Sequence, residues 1–244
     1  MRARPRHGLF PRVPRAPRAL LVLGLLVTLA AAACDGGGGG GGGGVTNGLE
    51  RLPAGEVGTR TLTALRTAPG VHLVGAVSDP RSDAPAQFDL VMSPTTTRGT
   101  VEEYDQETQL VKIKGDTYVR RARGYYTATG DDAAASLLAD RWVRLAATDA
   151  AKYSYFTLER YSDSLRGYLA GLAGGVRQDT VDGARVVRAT ASDGTTFDVA
   201  NTGPAYPVRI TLAGASTTRL TFTEFRAPAA ATPPSSPVDL STIG

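Results

Sequence analysis

The sequence predicts an α+β domain, in which an antiparallel sheet carries a few helices on one side. From residue 71 to residue 222, apolar and polar residues alternate with a period of two over short segments separated by brief turns. This pattern is typical of antiparallel strands with one solvated face. Three further segments repeat their apolar residues at helical spacing. A few helices on one side of an antiparallel sheet define the α+β class.

Strands are predicted wherever apolar and polar residues alternate between turn-forming residues. Gly115-Asp116 turns the chain between two of these runs. Asp193-Gly194 joins two others and is a strong hairpin signal. The predicted strands lie at about 71–78, 88–92, 111–113, 117–120, 186–188, 197–199, 208–212 and 220–222.

Three helices are predicted, at about 54–68, 131–138 and 158–172. Pro69-Gly70 ends the first, and Asp131-Asp132 suits the N-terminus of the second. The third has the clearest pattern, because its apolar residues recur every three or four positions before two glycines end it. Those residues are Leu158, Tyr161, Leu165, Tyr168, Leu169 and Leu172.

The first 33 residues predict an export signal. Arginines precede an apolar stretch from Ala19 to Ala33, and its small residues are followed directly by Cys34, the only cysteine. This arrangement resembles the lipobox of bacterial lipoproteins. The resemblance implies that the leader is cleaved before Cys34 and that the thiol receives a diacylglycerol. The predicted partner is then the cell membrane, to whose extracytoplasmic face the N-terminal diacylglyceryl-cysteine anchors the protein.

Two alternatives compete with this interpretation. A transmembrane helix needs roughly twenty apolar residues, and this stretch has only about fifteen. An ordinary secretory signal would leave Cys34 as a free thiol, and Ala31 stands where lipoboxes usually carry Leu. A lone cysteine in an exported protein has no internal disulfide partner, and lipidation explains its presence.

The formal net charge of +4 comes from the leader. Residues 1–33 hold six of the 27 Lys and Arg and none of the 23 Asp and Glu. The mature chain therefore carries 21 basic and 23 acidic side chains, a net charge of −2. Because no basic surplus remains, no nucleic-acid partner is predicted.

Composition divides the chain into four segments. Residues 1–33 are the signal, and residues 34–50 are a tether from the lipidated cysteine, since the glycine run Gly36–Gly44 cannot form a stable helix or strand. Residues 51–226 form one domain, long enough to bury a sizeable core. Residues 227–244 are rich in Pro and Ala without periodicity, and we expect an extended or disordered tail.

A search for catalytic groups finds little, so we predict a protein that is not an enzyme and holds no metal or cofactor. His72, the single histidine after the leader, lies in a predicted strand, where a solvent-facing position is favoured over the role of a base. A G-x-S-x-G motif and a set of Cys and His ligands for zinc are both absent. Glu102 and Glu103 are neighbours in a strand and face opposite sides.

Aromatic residues concentrate in the middle third of the chain. An aromatic stripe at helical spacing most often packs against a sheet and belongs to the core. The alternative is that some of these residues line an apolar pocket for a ligand. The candidates for that role are Tyr118, Trp142, Tyr161, Leu165 and Tyr168.

Several short motifs follow one another in a definite order: VHL at 71–73, FDLV at 88–91, GDTYV at 115–119, DRWV at 140–143, VDG at 181–183, FDV at 197–199 and GPAYPVRI at 203–210. Their order resembles the LppX/LprG group of actinobacterial lipoproteins, relatives in fold of the LolA-type carriers. The resemblance implies an open half-barrel sheet with helices on its concave face, enclosing a hydrophobic cavity for acyl chains. It also implies a lipid, glycolipid or lipoglycan ligand moved or presented in the cell envelope.

The leading hypothesis is therefore a membrane-anchored lipoprotein that binds or transfers lipids, for which each buried CH₂ would contribute about 0.8 kcal/mol. The alternative is a non-catalytic module that scaffolds unidentified envelope proteins. A solid core behind the helix at 158–172 would favour that alternative. An envelope hydrolase would need an acid or His72 in a pocket.

Overall fold

The named strands of the described residues belong to one open sheet. The computed structural model describes residues 45–77, 86–213 and 218–242, which belong to one compact unit. In chain order the strands are β1 (Val71–Val77), β2 (Ala86–Met92), β3 (Thr96–Glu103), β4 (Gln106–Ile113), β5 (Asp116–Arg121), β6 (Trp142–Arg144), β7 (Arg177–Val181), β8 (Ala184–Thr190), β9 (Thr196–Ala200), β10 (Pro207–Leu212), β11 (Thr218–Thr223) and β12 (Val238–Asp239).

The strands lie in the order β12-β6-β5-β4-β3-β2-β1-β11-β10-β9-β8-β7. Each neighbouring pair is antiparallel except β12 and β6, which are parallel. The predicted strands are confirmed, including the hairpin around Asp193-Gly194. The prediction missed β7, β12, β6 and most of β3 because these strands are polar or very short.

The helices are α1 (Ala54–Arg66), α2 (Arg123–Thr129), α3 (Asp132–Leu138), α4 (Ala147–Ala150) and α5 (Leu158–Ala170). The three predicted helices are confirmed as α1, α3 and α5. The carboxylate of Asp131 accepts a hydrogen bond from the Ala134 amide, as expected for a helix N-cap. Short α2 and α4 were not predicted, since seven and four residues carry too little periodicity.

The core lies between one face of the sheet and the pair α1 and α5. Leu73, Phe222 and Phe197 point from the sheet into a single cluster that Val57 of α1 and Leu165 of α5 complete. The first and last strands of the order, β12 and β7, are not paired with each other. The fold is therefore the predicted open, α+β half-barrel with helices on one face.

The domain begins before residue 51, where the sequence had placed its start. The amide of Asn47 donates to the carbonyl of Asn201 at 3.1 Å, and its side chain donates to the carbonyls of Ala200 and Gly203. Leu49 is buried in the core. The last residues of the predicted tether 34–50 thus belong to the domain, while the signal, Cys34 and the glycine run lie outside the described residues.

The C-terminal tail is extended, one of the two states that the sequence left open, and it is bound to the domain. Its β12 pairs with β6, and the Leu240 amide donates to the Arg144 carbonyl at 2.9 Å. The tail begins by crossing Gly70 so closely that a Cβ there would stand 2.6 Å from the Arg226 carbonyl. Only glycine fits beneath it.

Helices of membrane-spanning length are not among the described elements. Within residues 45–77, 86–213 and 218–242, no helix is both long enough and apolar enough to cross a membrane.

Candidate ligand-binding pocket

A cavity of about 850 Å³ lies at one end of the sheet, where β2 turns into β3 and β4 turns into β5. The turns themselves form two walls, and the start of the C-terminal tail forms a third. Its volume is within the roughly 300–1,000 Å³ typical of small-molecule sites. The residues around it are Pro69, Ser93–Thr97, Lys112–Asp116, Thr157 and Ala227–Ala231.

Local hydrogen bonding and backbone conformation fix the two turns. In the first, the Ser93 amide donates to the Thr96 carbonyl at 2.8 Å, and the hydroxyls of these residues are 2.8 Å apart. In the second, Lys114 and Gly115 both have positive φ, at 53° and 89°. Two left-handed residues in succession are the signature of a tight hairpin turn that matches the sheet's twist.

Polar side chains of the sheet form hydrogen bonds to the segment between α4 and α5, which lies over the sheet next to the cavity. The Thr97 hydroxyl donates to the Phe156 carbonyl at 2.7 Å, and the Lys112 ammonium donates to the Tyr153 carbonyl. Both acceptors belong to the stretch between α4 and α5, which begins with a short 3-10 turn at Ala151–Tyr153. The Tyr153 carbonyl also accepts from the Phe156 amide at 3.1 Å. The sheet therefore adds one side-chain donor to each of these two carbonyls.

The charged residues around the cavity differ in whether they form ion pairs. Asp116 accepts from Arg144 at 2.7 Å, and Arg144 also reaches Asp239 of the tail at 3.2 Å. Neither Lys112 nor Lys114 forms an ion pair with any described residue. Partial burial lowers the pKa of Lys112, because desolvation disfavours its charged form.

The five residues predicted to line a cavity do not come together. Tyr161 and Leu165 lie one turn apart on α5, and both are buried in the core. Tyr118 and Trp142 lie on the opposite face of the sheet, because each alternates with a valine that points into the core. Tyr168 is exposed. None of the five borders the cavity described above.

The groups considered for catalysis lie away from the cavity. His72 Nε2 is 2.7 Å from Asp89 Oδ1 on the outer face of the sheet, and the Thr223 hydroxyl is 3.3 Å from Nδ1. Glu103 accepts from the Tyr153 hydroxyl at 2.8 Å, while Glu102 accepts from the Gln87 amide. Within the part of the chain that the structure describes, no group of His, Cys, Asp and Glu could hold a metal ion.

The sequence did not predict Thr97, Lys112 or the tail as parts of a site. One signal was available for the lysines. The chain has only three Lys among its 27 basic residues, and two of them stand at positions 112 and 114. The role of the tail left no signal, because the contact joins residues far apart in the chain.

Comparisons with known proteins give structural neighbours only. No model of a protein family matches the chain, and no curated protein matches it. The chain is similar to LprF from Mycobacterium bovis, with 14% identity and a TM-score of 0.49, over 72% of this chain and 94% of that one.

It is also similar to the lipoprotein LppX of Mycobacterium tuberculosis, with 17% identity and a TM-score of 0.46, over 72% of this chain and 97% of that one. A further similarity is to the MucA/MucB complex of Pseudomonas aeruginosa, with 15% identity and a TM-score of 0.33, over 70% and 56%. LprF and LppX belong to the group of lipoproteins that the sequence resembles.

Proposed function

We propose that this protein is a membrane-anchored lipoprotein that binds lipid in the cavity at the end of its sheet. The single observation that carries the proposal is that cavity, about 850 Å³ in volume and walled largely by Pro, Ala, Ile and Thr side chains. Burial of an acyl chain there would contribute about 0.8 kcal/mol per CH₂. No catalytic group is needed for such a function.

The point where the chain enters the domain supports this proposal. Asn47 binds the loop between β9 and β10, and Tyr206 of that loop stacks on Phe225 at 3.9 Å. Phe225 is followed directly by Arg226, which abuts Gly70 beside the cavity. The entry point and the cavity therefore lie at the same end of the sheet.

The length of the tether limits the distance between Cys34 and the start of the domain. Between Cys34 and Thr46 the sequence has eleven residues, nine of them glycine, and a flexible chain of that length and composition has an r.m.s. span of about 20 Å. If Cys34 is lipidated, the end of the sheet that carries the cavity stays close to the membrane surface. A lipid could then pass between membrane and cavity over a short path.

Lipid binding is tested by filling the cavity. Ala231→Trp places an indole at its tail wall, and Ala173→Trp makes the same change at an exposed residue outside it. Native mass spectrometry of the full chain, solubilised from its own membranes, should show bound lipid in the wild type and in Ala173→Trp, and at least tenfold less in Ala231→Trp. Wild-type protein without lipid would contradict the proposal.

The anchor is tested separately. Cys34→Ser should yield unprocessed or soluble protein, whereas the wild type should incorporate radioactive palmitate and remain in the membrane fraction. Equal membrane retention of the two proteins would exclude lipidation at Cys34 as the anchor.

A second candidate function is a protein-interaction module without a ligand. One observation favours it: Leu158, Tyr161, Leu165 and Leu169 of α5 are all buried in the core. The side of the sheet behind this helix is thus packed by side chains. In that case cross-linking in intact cells would capture an envelope protein, and cavity-filling Ala231→Trp would leave the yield unchanged.

A further inference from the structure

The arginines and lysines of this chain differ in the groups with which they interact. Arg makes the ion pairs of the described residues, with two exceptions, in which Lys152 pairs with Asp149 and His72 pairs with Asp89. The other two lysines of the chain, Lys112 and Lys114, both border the cavity. Lysine presents a compact charge with three rotatable donors, and it binds phosphate groups as a point charge.

Lys112 brings an uncompensated charge to the cavity. Its ammonium lies at a half-buried position and, among the described residues, donates one hydrogen bond, to the Tyr153 carbonyl. An ammonium has three donors, so two remain for a ligand. A cation that is partly removed from water interacts more strongly with an anion than an exposed one does.

The single acidic residue at the cavity does not neutralise these lysines. Asp116 forms its ion pair with Arg144 at 2.7 Å and accepts from the Tyr118 hydroxyl at 3.3 Å. The other residues around the cavity carry no negative charge. The Ser93 and Thr96 hydroxyls at the neighbouring turn add further hydrogen-bonding groups.

From this arrangement we infer that Lys112 and Lys114 bind a phosphate-type anionic headgroup of the lipid whose acyl chain occupies the cavity. The inference rests on the proposed function and narrows its ligand to an anionic amphiphile. The lysines hold the headgroup by charge-assisted hydrogen bonds, and the Pro, Ala and Ile side chains contact the chain. A neutral lipid with the same acyl chains lacks the first set of contacts.

The experiment compares two lipids with identical acyl chains, phosphatidylglycerol and diacylglycerol, for binding to the full-length protein in detergent by native mass spectrometry. We expect the wild type to prefer phosphatidylglycerol about tenfold, and Lys112→Gln/Lys114→Gln to bind both lipids alike. Lys114→Gln alone, at an exposed turn position, should lose part of the preference. Lys152→Gln removes a lysine outside the cavity and should keep the full preference.

Each outcome of this comparison either supports or contradicts the inference. An equal preference in the wild type and in both cavity variants would overturn the inference while leaving lipid binding intact. Binding of neither lipid to the wild type would overturn the proposed function and this inference together. Inorganic phosphate is tested as a third ligand. If it needs the same two lysines but does not compete with phosphatidylglycerol, the lysines bind free phosphate and not a lipid headgroup. That result would show the inference to be wrong.

Discussion

The two halves of the inner face of the sheet differ in what covers them. The half formed by β1 and β8–β11 lies under α1 and α5, and the contact is apolar, with Phe197, Ile210 and Phe222 in the core. The half formed by β3–β5 lies under the irregular segment between α4 and α5. There the sheet presents the polar side chains of Thr97 and Lys112 beside core residues such as Leu110 and Val119.

The difference follows from the backbone of the covering segment. A helix satisfies its own amides and carbonyls, so the sheet beneath it needs no polar partners. The segment between α4 and α5 has less regular backbone bonding, and the Phe156 carbonyl, which would be costly to bury alone, accepts from Thr97 of the sheet. The same half contains the cavity.

The largest effect is expected in the helix-covered half. Leu165→Ala removes a buried side chain that is only 3% exposed and should lower the free energy of unfolding by about 3 kcal/mol. Denaturant unfolding measures this. Leu137→Ala, at an exposed position on α3, is the control and should change stability by under about 0.5 kcal/mol. A small loss in Leu165→Ala would mean that this half is loosely packed.

A matched pair of threonines tests the role of the covering backbone. Thr97 and Thr61 are each 1% exposed, but Thr97 donates to the irregular segment, whereas Thr61 donates to the Val57 carbonyl within α1. Thr97→Val should cost about 1–2 kcal/mol because the Phe156 carbonyl loses its donor. Thr61→Val should cost less, since the helix still bonds the Val57 carbonyl. Equal losses of stability in the two variants would show that the hydrogen bond to the covering segment matters no more than the one within α1.

Alkaline pH should destabilise the protein through its buried tyrosines, which both halves contain. Burial raises the pKa of Tyr161 and of Tyr153, because desolvation disfavours the phenolate. Their stabilising contribution is complete below the unfolded-state pKa of about 10 and is lost as pH rises above it.

Each buried tyrosine should then lower the free energy of unfolding by about 1.4 kcal/mol per pH unit above pH 10. Tyr161→Phe should reduce that slope by one tyrosine's share, measured by unfolding at several pH values. A slope unchanged in this variant would show that Tyr161 ionises equally in the folded and unfolded states.

The smallest effect is expected at the tail. Asp239→Asn removes the exposed ion pair with Arg144, which should leave global stability unchanged within error. Hydrogen exchange at the Leu240 amide should nevertheless become faster, because that amide is held by the Arg144 carbonyl. Asp163→Asn on α5 is the control and should leave this exchange rate as in the wild type.

Local pattern was sufficient for most of the fold. Alternation at Phe88–Met92 and around Asp193-Gly194 predicted strands, and the leucine and tyrosine spacing from Leu158 predicted α5, because each signal lies within one element. Alternation also held the answer for Tyr118 and Trp142, since each alternates with a core-facing valine. Their aromatic character instead suggested a pocket, which none of the cavity's lining residues supports.

The sequence by itself determined the α+β class and the three main helices, whereas the export signal ending at Cys34 stays a prediction. These features depend on residues close together in the chain or on composition. The tertiary structure decided where the cavity lies, that Lys112 and Lys114 border it without an ion pair to any residue that the structure describes, and that the tail closes one side of it. Those features depend on contacts between distant segments, such as the tail over Gly70, which local periodicity does not encode.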